Sequence, residues 1–107
     1  MADFKITQND TYPAISGTCK DDGSNPVDIT GATVRFHLKA PGSETAKVDE
    51  PASILDAAAG SVAYQWVAGD TDTPGTYFAE FEVTHSDGNP ETFPSDPLVV
   101  YIREELA

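Results

Sequence analysis

Two histidines, one cysteine and four pairs of neighbouring carboxylates are the side chains of this sequence best suited to chemistry. Nucleophilic catalysis needs a cysteine or serine beside a histidine that an acid orients. His37 lies in a segment whose alternation turns it to water, His85 adjoins a turn, and no Gly-x-Ser-x-Gly element is present. Asp21-Asp22, Asp70/Asp72, Glu80/Glu82 and Glu104-Glu105 are the pairs that acid–base work would draw on. Glu80 and Glu82 share a strand face, but alternation leaves both in solvent, where neither pKa is tuned. Asp70-x-Asp72 and Asp21-Asp22-x-Ser24 offer the oxygen ligands that calcium takes. Neither follows the calcium loop that closes on a glutamate, and turn-forming aspartates account for both. No cysteine–histidine spacing suits zinc, and no glycine-rich loop opens a helix to cradle phosphate. The reading is of a chain with no catalytic, cofactor or metal site.

The elements that would position these side chains are strands. From Gly75 the chain alternates Tyr77, Ala79, Phe81 and Val83 against Phe78, Glu80, Glu82 and Thr84, the pattern of a half-buried strand. Pro74-Gly75 forms the turn before it, and Ser86-Asp87-Gly88 signals a hairpin after it. Thr92 and Phe93 then begin a short return strand that Pro94 is expected to stop. Val34, Phe36 and Leu38 alternate with Thr33, Arg35, His37 and Lys39 in the cleanest pattern of the chain, and Val62, Tyr64 and Trp66 repeat it between Ser61 and Val67. Shorter signals fall at Phe4 and Ile6, at Ile15 to Cys19 after Pro13, around Ala46 to Val48, at Ile54-Leu55, and at Leu98, Val100 and Ile102 after Pro97. Asp56 to Gly60 is the one helix-friendly run and is too short for more than a turn. Seven or eight short strands at this spacing predict an all-β fold, an antiparallel two-sheet sandwich with Greek-key connections and essentially no helix. The tail from Glu104 to Ala107 is expected to fray.

Residues 1–107 read as a single domain, long enough to bury a core without staples. Cys19 cannot pair within the chain and reads as a small buried apolar side chain. No segment approaches the length of an apolar membrane span, and the start, Met-Ala-Asp-Phe-Lys, lacks the basic region and apolar run of an export signal. The expectation is a soluble protein made without one. Charge is the extreme quantity: 18 Asp and Glu against 6 Lys and Arg leave a formal net of −12. A field of that sign repels phosphate backbones and anionic lipid, so neither nucleic acid nor membrane is an expected partner. The acids are scattered rather than blocked into a tail, as on the solvated surface of a folded domain. Such a surface serves solubility and would also suit a high-salt milieu.

Several of these segments, taken in order, carry a resemblance. Phe4-x-Ile6-x-Gln8-x-Asp10-Thr11-x-Pro13 is followed by Asp28-Ile29-Thr30-Gly31-Ala32-Thr33-Val34-x-Phe36-x-Leu38 and Gly60-Ser61-Val62-x-Tyr64-x-Trp66. Pro74-Gly75-Thr76-Tyr77-x-Ala79-Glu80-Phe81-x-Val83 and Glu91-Thr92-Phe93-Pro94 complete the series. Together they resemble the immunoglobulin-like domain of tailed-phage virion proteins, in particular the N-terminal domain of the phage baseplate upper protein family. The resemblance covers nearly the whole chain. It implies an immunoglobulin-like sandwich and an architectural, non-enzymatic component of a virus particle, touching other capsid or tail proteins and oligomeric there. Members with further receptor-binding or coiled-coil regions are longer; a protein made of this one module would be a decoration, connector, tail or baseplate accessory subunit.

Two local questions stay open on sequence alone. Asp70 or Asp72, Gly75 and Tyr77 are spaced as in the tyrosine corner of immunoglobulin sandwiches, and Tyr77 fits a plain core aromatic equally well. Phe78, Val99 and Tyr101 fall on the polar faces of their strands. If those strands are neighbours, the three form an apolar patch in an acidic surround, the mark of a protein contact; otherwise the domain covers them itself. The alternative function, a carbohydrate or host-surface binding module, needs exposed loop aromatics, and Tyr12 is the good candidate.

Overall fold

The computed structural model describes residues 4–106, apart from the side chains of residues 95 and 96; the Met1 to Asp3 start and Ala107 lie outside it. Eight strands make up its regular structure: β1 Phe4–Thr7, β2 Ile15–Thr18, β3 Thr33–Lys39, β4 Val48–Pro51, β5 Ser53–Asp56, β6 Ser61–Tyr64, β7 Gly75–Thr84 and β8 Pro90–Arg103. No helix occurs among the described residues. One sheet has the order β1-β8-β7-β3-β4 and the other β2-β6-β5. The chain changes sheets between β1 and β2, between β2 and β3, at Ala52 between β4 and β5, and between β6 and β7. These crossings give the immunoglobulin-like sandwich that the sequence predicts.

The alternating apolar positions meet between the two sheets. Phe36, Leu38, Ala79, Phe81, Val83, Val100 and Ile102 face inward from the larger sheet, and Ile15, Val62 and Tyr64 from the smaller. Phe36 stands at the centre. Its ring stacks on Tyr64 with centroids 4.6 Å apart, meets Trp66 edge-on at 5.5 Å and tilts against Phe81 at 5.3 Å. Burying rings of this size supplies much of the free energy that holds two thin layers together. Cys19 is 1% exposed within this core. Close by, Gly60 has φ +70°, and a Cβ there would stand 2.7 Å from the carbonyl oxygen of Val27 and 2.8 Å from that of Cys19. Only glycine lets these backbones approach so closely.

Three expectations need correction. Pro94 does not end the return strand: β8 runs from Pro90 to Arg103, through both Pro94 and Pro97. Proline has no N–H for the ladder, and the strand accommodates the two by bulging. Phe93 pairs with Phe81 and Leu98 with Ala79, so residues 94–97 stand opposite Glu80 alone. The sheets are also not wholly antiparallel, because β1 runs parallel to the last residues of β8, Phe4 against Val100 and Thr7 against Arg103. Lastly, β6 stops at Tyr64, although Trp66 remains 2% exposed. At the chain end Glu105 is tied down, its N–H donating to Gln8 Oε1 (3.2 Å) while Asn9 Nδ2 donates to its carboxylate (3.3 Å).

Candidate protein-contact face

The outer face of the five-stranded sheet collects the side chains that the core alternation turns away. β7 and β8 are neighbours in register, with Phe78 opposite Val99 and Thr76 opposite Tyr101. Phe78 and Tyr101 are 43% and 42% exposed, and Val99 between them is half-buried. The pairing left open by the sequence thus exists, and it brings these three residues together. Lys39 of β3 lies beside Phe78, and Lys5 of β1 beside Tyr101. A groove of about 440 Å³ continues from Phe78 between the β3–β4 loop and the β8 bulge, lined by His37, Lys39, Glu44, Asp49, Glu80 and Pro97 among others.

The rest of the face is a ladder of cross-strand polar contacts. His37 joins three strands, its Nδ1 3.0 Å from Glu80 on β7 and its Nε2 3.2 Å from Asp49 on β4. Arg35 Nε donates to Asp49 Oδ1 at 2.9 Å. That hydrogen bond, helped by the nearby charges of Arg35 and His37, holds the Asp49 carboxyl below its usual range. Alternation alone read His37 as an ordinary wet-face residue and Glu80 as solvent-exposed. Both are in fact half-buried and bonded to each other, a contact that becomes visible only once β3 and β7 are known to pair at these positions. His85 is placed elsewhere, against Glu91 across the β7–β8 hairpin at 2.9 Å.

The paired aspartates organise loops. Asp21 Oδ1 accepts from the N–H groups of Gly23 and Asn25, each at 2.9 Å. Asp70 Oδ2 accepts from Tyr64 Oη (2.6 Å) and from the Val67 N–H (2.9 Å). Burial, and then this hydrogen bond and charge, push the Tyr64 hydroxyl well above its ordinary pKa. Asp72 pairs with Lys47 Nζ at 2.6 Å, and that bond leads the causes that depress its own pKa. Tyr77 completes the corner: buried, its hydroxyl donates to the carbonyl oxygen of Thr73 at 2.7 Å. It is both core aromatic and tyrosine corner. The Cys19 thiol is pushed up to about 11, by burial first and then by the charge of Glu91. Tyr12 projects from the β1–β2 loop, 83% exposed.

A sandwich with a tyrosine corner is shared by many unrelated proteins, so the fold alone leaves function undecided. The model of the BppU N-terminal domain matches residues 3–102. The chain belongs to the BppU N-terminal domain family. BppU is the baseplate upper protein, so the family to which the chain belongs is one of phage baseplate structural proteins. The matched span takes in β1 to β7 and all but the last residue of β8, and with it Phe78, Val99 and Tyr101. No curated protein matches the chain.

Proposed function

We propose that this chain is a non-enzymatic subunit of the virus particle, a single domain over residues 1–107. It docks onto other virion proteins through the outer face of its five-stranded sheet. Phe78, Val99 and Tyr101 are the centre of that contact. The observation that carries the reading is their juxtaposition, Phe78 cross-strand from Val99 and Tyr101 two residues along the same strand face, on an otherwise acidic molecule. Interfaces place aromatic anchors at the middle of the contact and polar groups around it, and this face has that layout. The family match supports a particle role. The engagement of His37, His85 and Cys19 in packing and cross-strand bonds supports a role without catalysis, as an accessory, decoration or connector part, present in several copies.

Purified particles should contain the chain in a fixed ratio to the other structural proteins. Phe78→Ser should cost the free domain no more than about 1 kcal/mol of stability, yet reduce incorporation into particles severalfold. Normal incorporation of that variant would remove the face from consideration. Tyr12 is the observation behind the second reading, a glycan-binding module, because exposed loop aromatics can stack on sugar rings. A glycan screen with binding lost in Tyr12→Ala would favour that reading instead.

A further inference from the structure

Charge is unevenly distributed over this molecule, and the unevenness bears on what the docking partner must look like. Of the six lysines and arginines, four stand on the outer face of the larger sheet: Lys5 on β1, Arg35 and Lys39 on β3, and Arg103 on β8. Among the described residues Asp49, Glu80 and Glu82 are the acids on the strands of that face and Glu44 lines its groove, so cations match carboxylates there while the whole chain carries −12. The unevenness is sharpest beside Tyr101. Lys5 pairs in register with Tyr101 and Thr7 with Arg103, and these four side chains, with Ile6, line a concavity of about 290 Å³ that no carboxylate of the described residues lines. Among the described residues Lys5 has no ion-pair or hydrogen-bond partner, and the bond from the Arg103 guanidinium goes to the backbone carbonyl of Glu104 at 3.0 Å. Lys39, at the Phe78 end of the patch, likewise has no ion-pair partner among the described residues. In a chain where acids outnumber bases threefold, cations left unmatched next to exposed aromatic rings are a complement for carboxylates supplied from outside.

We infer that the protein covering this face presents carboxylates to Lys5 and Arg103, on either side of Tyr101, and an apolar side chain to Phe78 and Val99. The inference rests on the docking reading above and adds the partner's chemistry to it. The net charge of the chain repels a polyanion at long range, which disfavours nucleic acid or an anionic membrane as the source of negative charge. Local carboxylates on a partner of mixed or basic net charge meet both conditions: the long-range field draws the partner in, and the short-range contacts fix its register.

The test uses the full chain, labelled with ¹⁵N, and two synthetic peptides of equal length that share a central leucine. One flanks the leucine with glutamates and the other with lysines. At low salt the glutamate peptide should move the amide resonances of Lys5, Tyr101, Arg103 and Phe78, and the lysine peptide should leave them in place. Lys5→Gln combined with Arg103→Gln should weaken the glutamate peptide by roughly tenfold, the scale of about 1.4 kcal/mol. The inference is overturned if the lysine peptide moves the same resonances, if the glutamate peptide moves none of them, or if inorganic phosphate at equal concentration moves them as far. Particle incorporation separates this claim from the docking claim. Loss with Phe78→Ser but not with the Lys5/Arg103 pair keeps the face and overturns the carboxylate partner; normal incorporation of both overturns the docking face itself.

Discussion

Single side chains account for much of how this sandwich holds its corners. Tyr77 closes the crossing from the smaller to the larger sheet by burying its ring and tethering its hydroxyl to Thr73. Tyr77→Phe keeps the ring and strands the Thr73 carbonyl, so it should lower unfolding free energy by about 1 kcal/mol, read from urea titrations; an unchanged midpoint would mean that the corner bond contributes nothing. Cys19 makes a pH-dependent contribution. Its thiol rises from an ordinary 9.0 to about 11 in the folded state, so folding favours the neutral form. The stabilisation is therefore complete below the unfolded value near 9 and is lost as pH climbs toward 11. Subtracting the stability curve of Cys19→Val from that of the wild type should isolate this decline, and a flat difference across that window would contradict it.

At the scale of strands, what the sequence reveals depends on how local the determining interaction is. β3 and β7 were legible because Val34, Phe36 and Leu38, and Tyr77, Ala79, Phe81 and Val83, each alternate without interruption, and alternation is a property of one strand. The apolar patch was half legible: Phe78, Val99 and Tyr101 could be seen to point away from the core, but their meeting required β7 and β8 to pair in one particular register. The His37 link to Glu80 and Asp49 was not legible, since it depends on two pairings at once. Pro94 misled for a related reason. A proline forbids a ladder hydrogen bond at its own position, but whether the strand stops or bulges is decided by the partner strand, and Phe93 and Leu98 both still find places against β7. The cations on the outer face were visible one by one, and their concentration there emerged only when β1 came to lie along β8.

For the molecule as a whole, the shape is a two-layer sandwich in which one sheet face is unlike the rest of the surface. A net charge of −12 keeps copies of the chain apart at long range and turns away other anionic surfaces. The outer face of the five-stranded sheet is where acids cease to dominate and where Phe78, Val99 and Tyr101 interrupt the polar covering. Under the proposed docking role, this division of charge sets the contact face apart from the rest of the surface. The most direct measurement is a cryo-electron density map of the assembled particle with this chain traced. The account predicts Phe78, Val99 and Tyr101 buried against another virion protein, with the β2-β6-β5 sheet turned away from the contact. A map in which those three side chains face solvent, and the smaller sheet or the loop ends make the attachment, would contradict it.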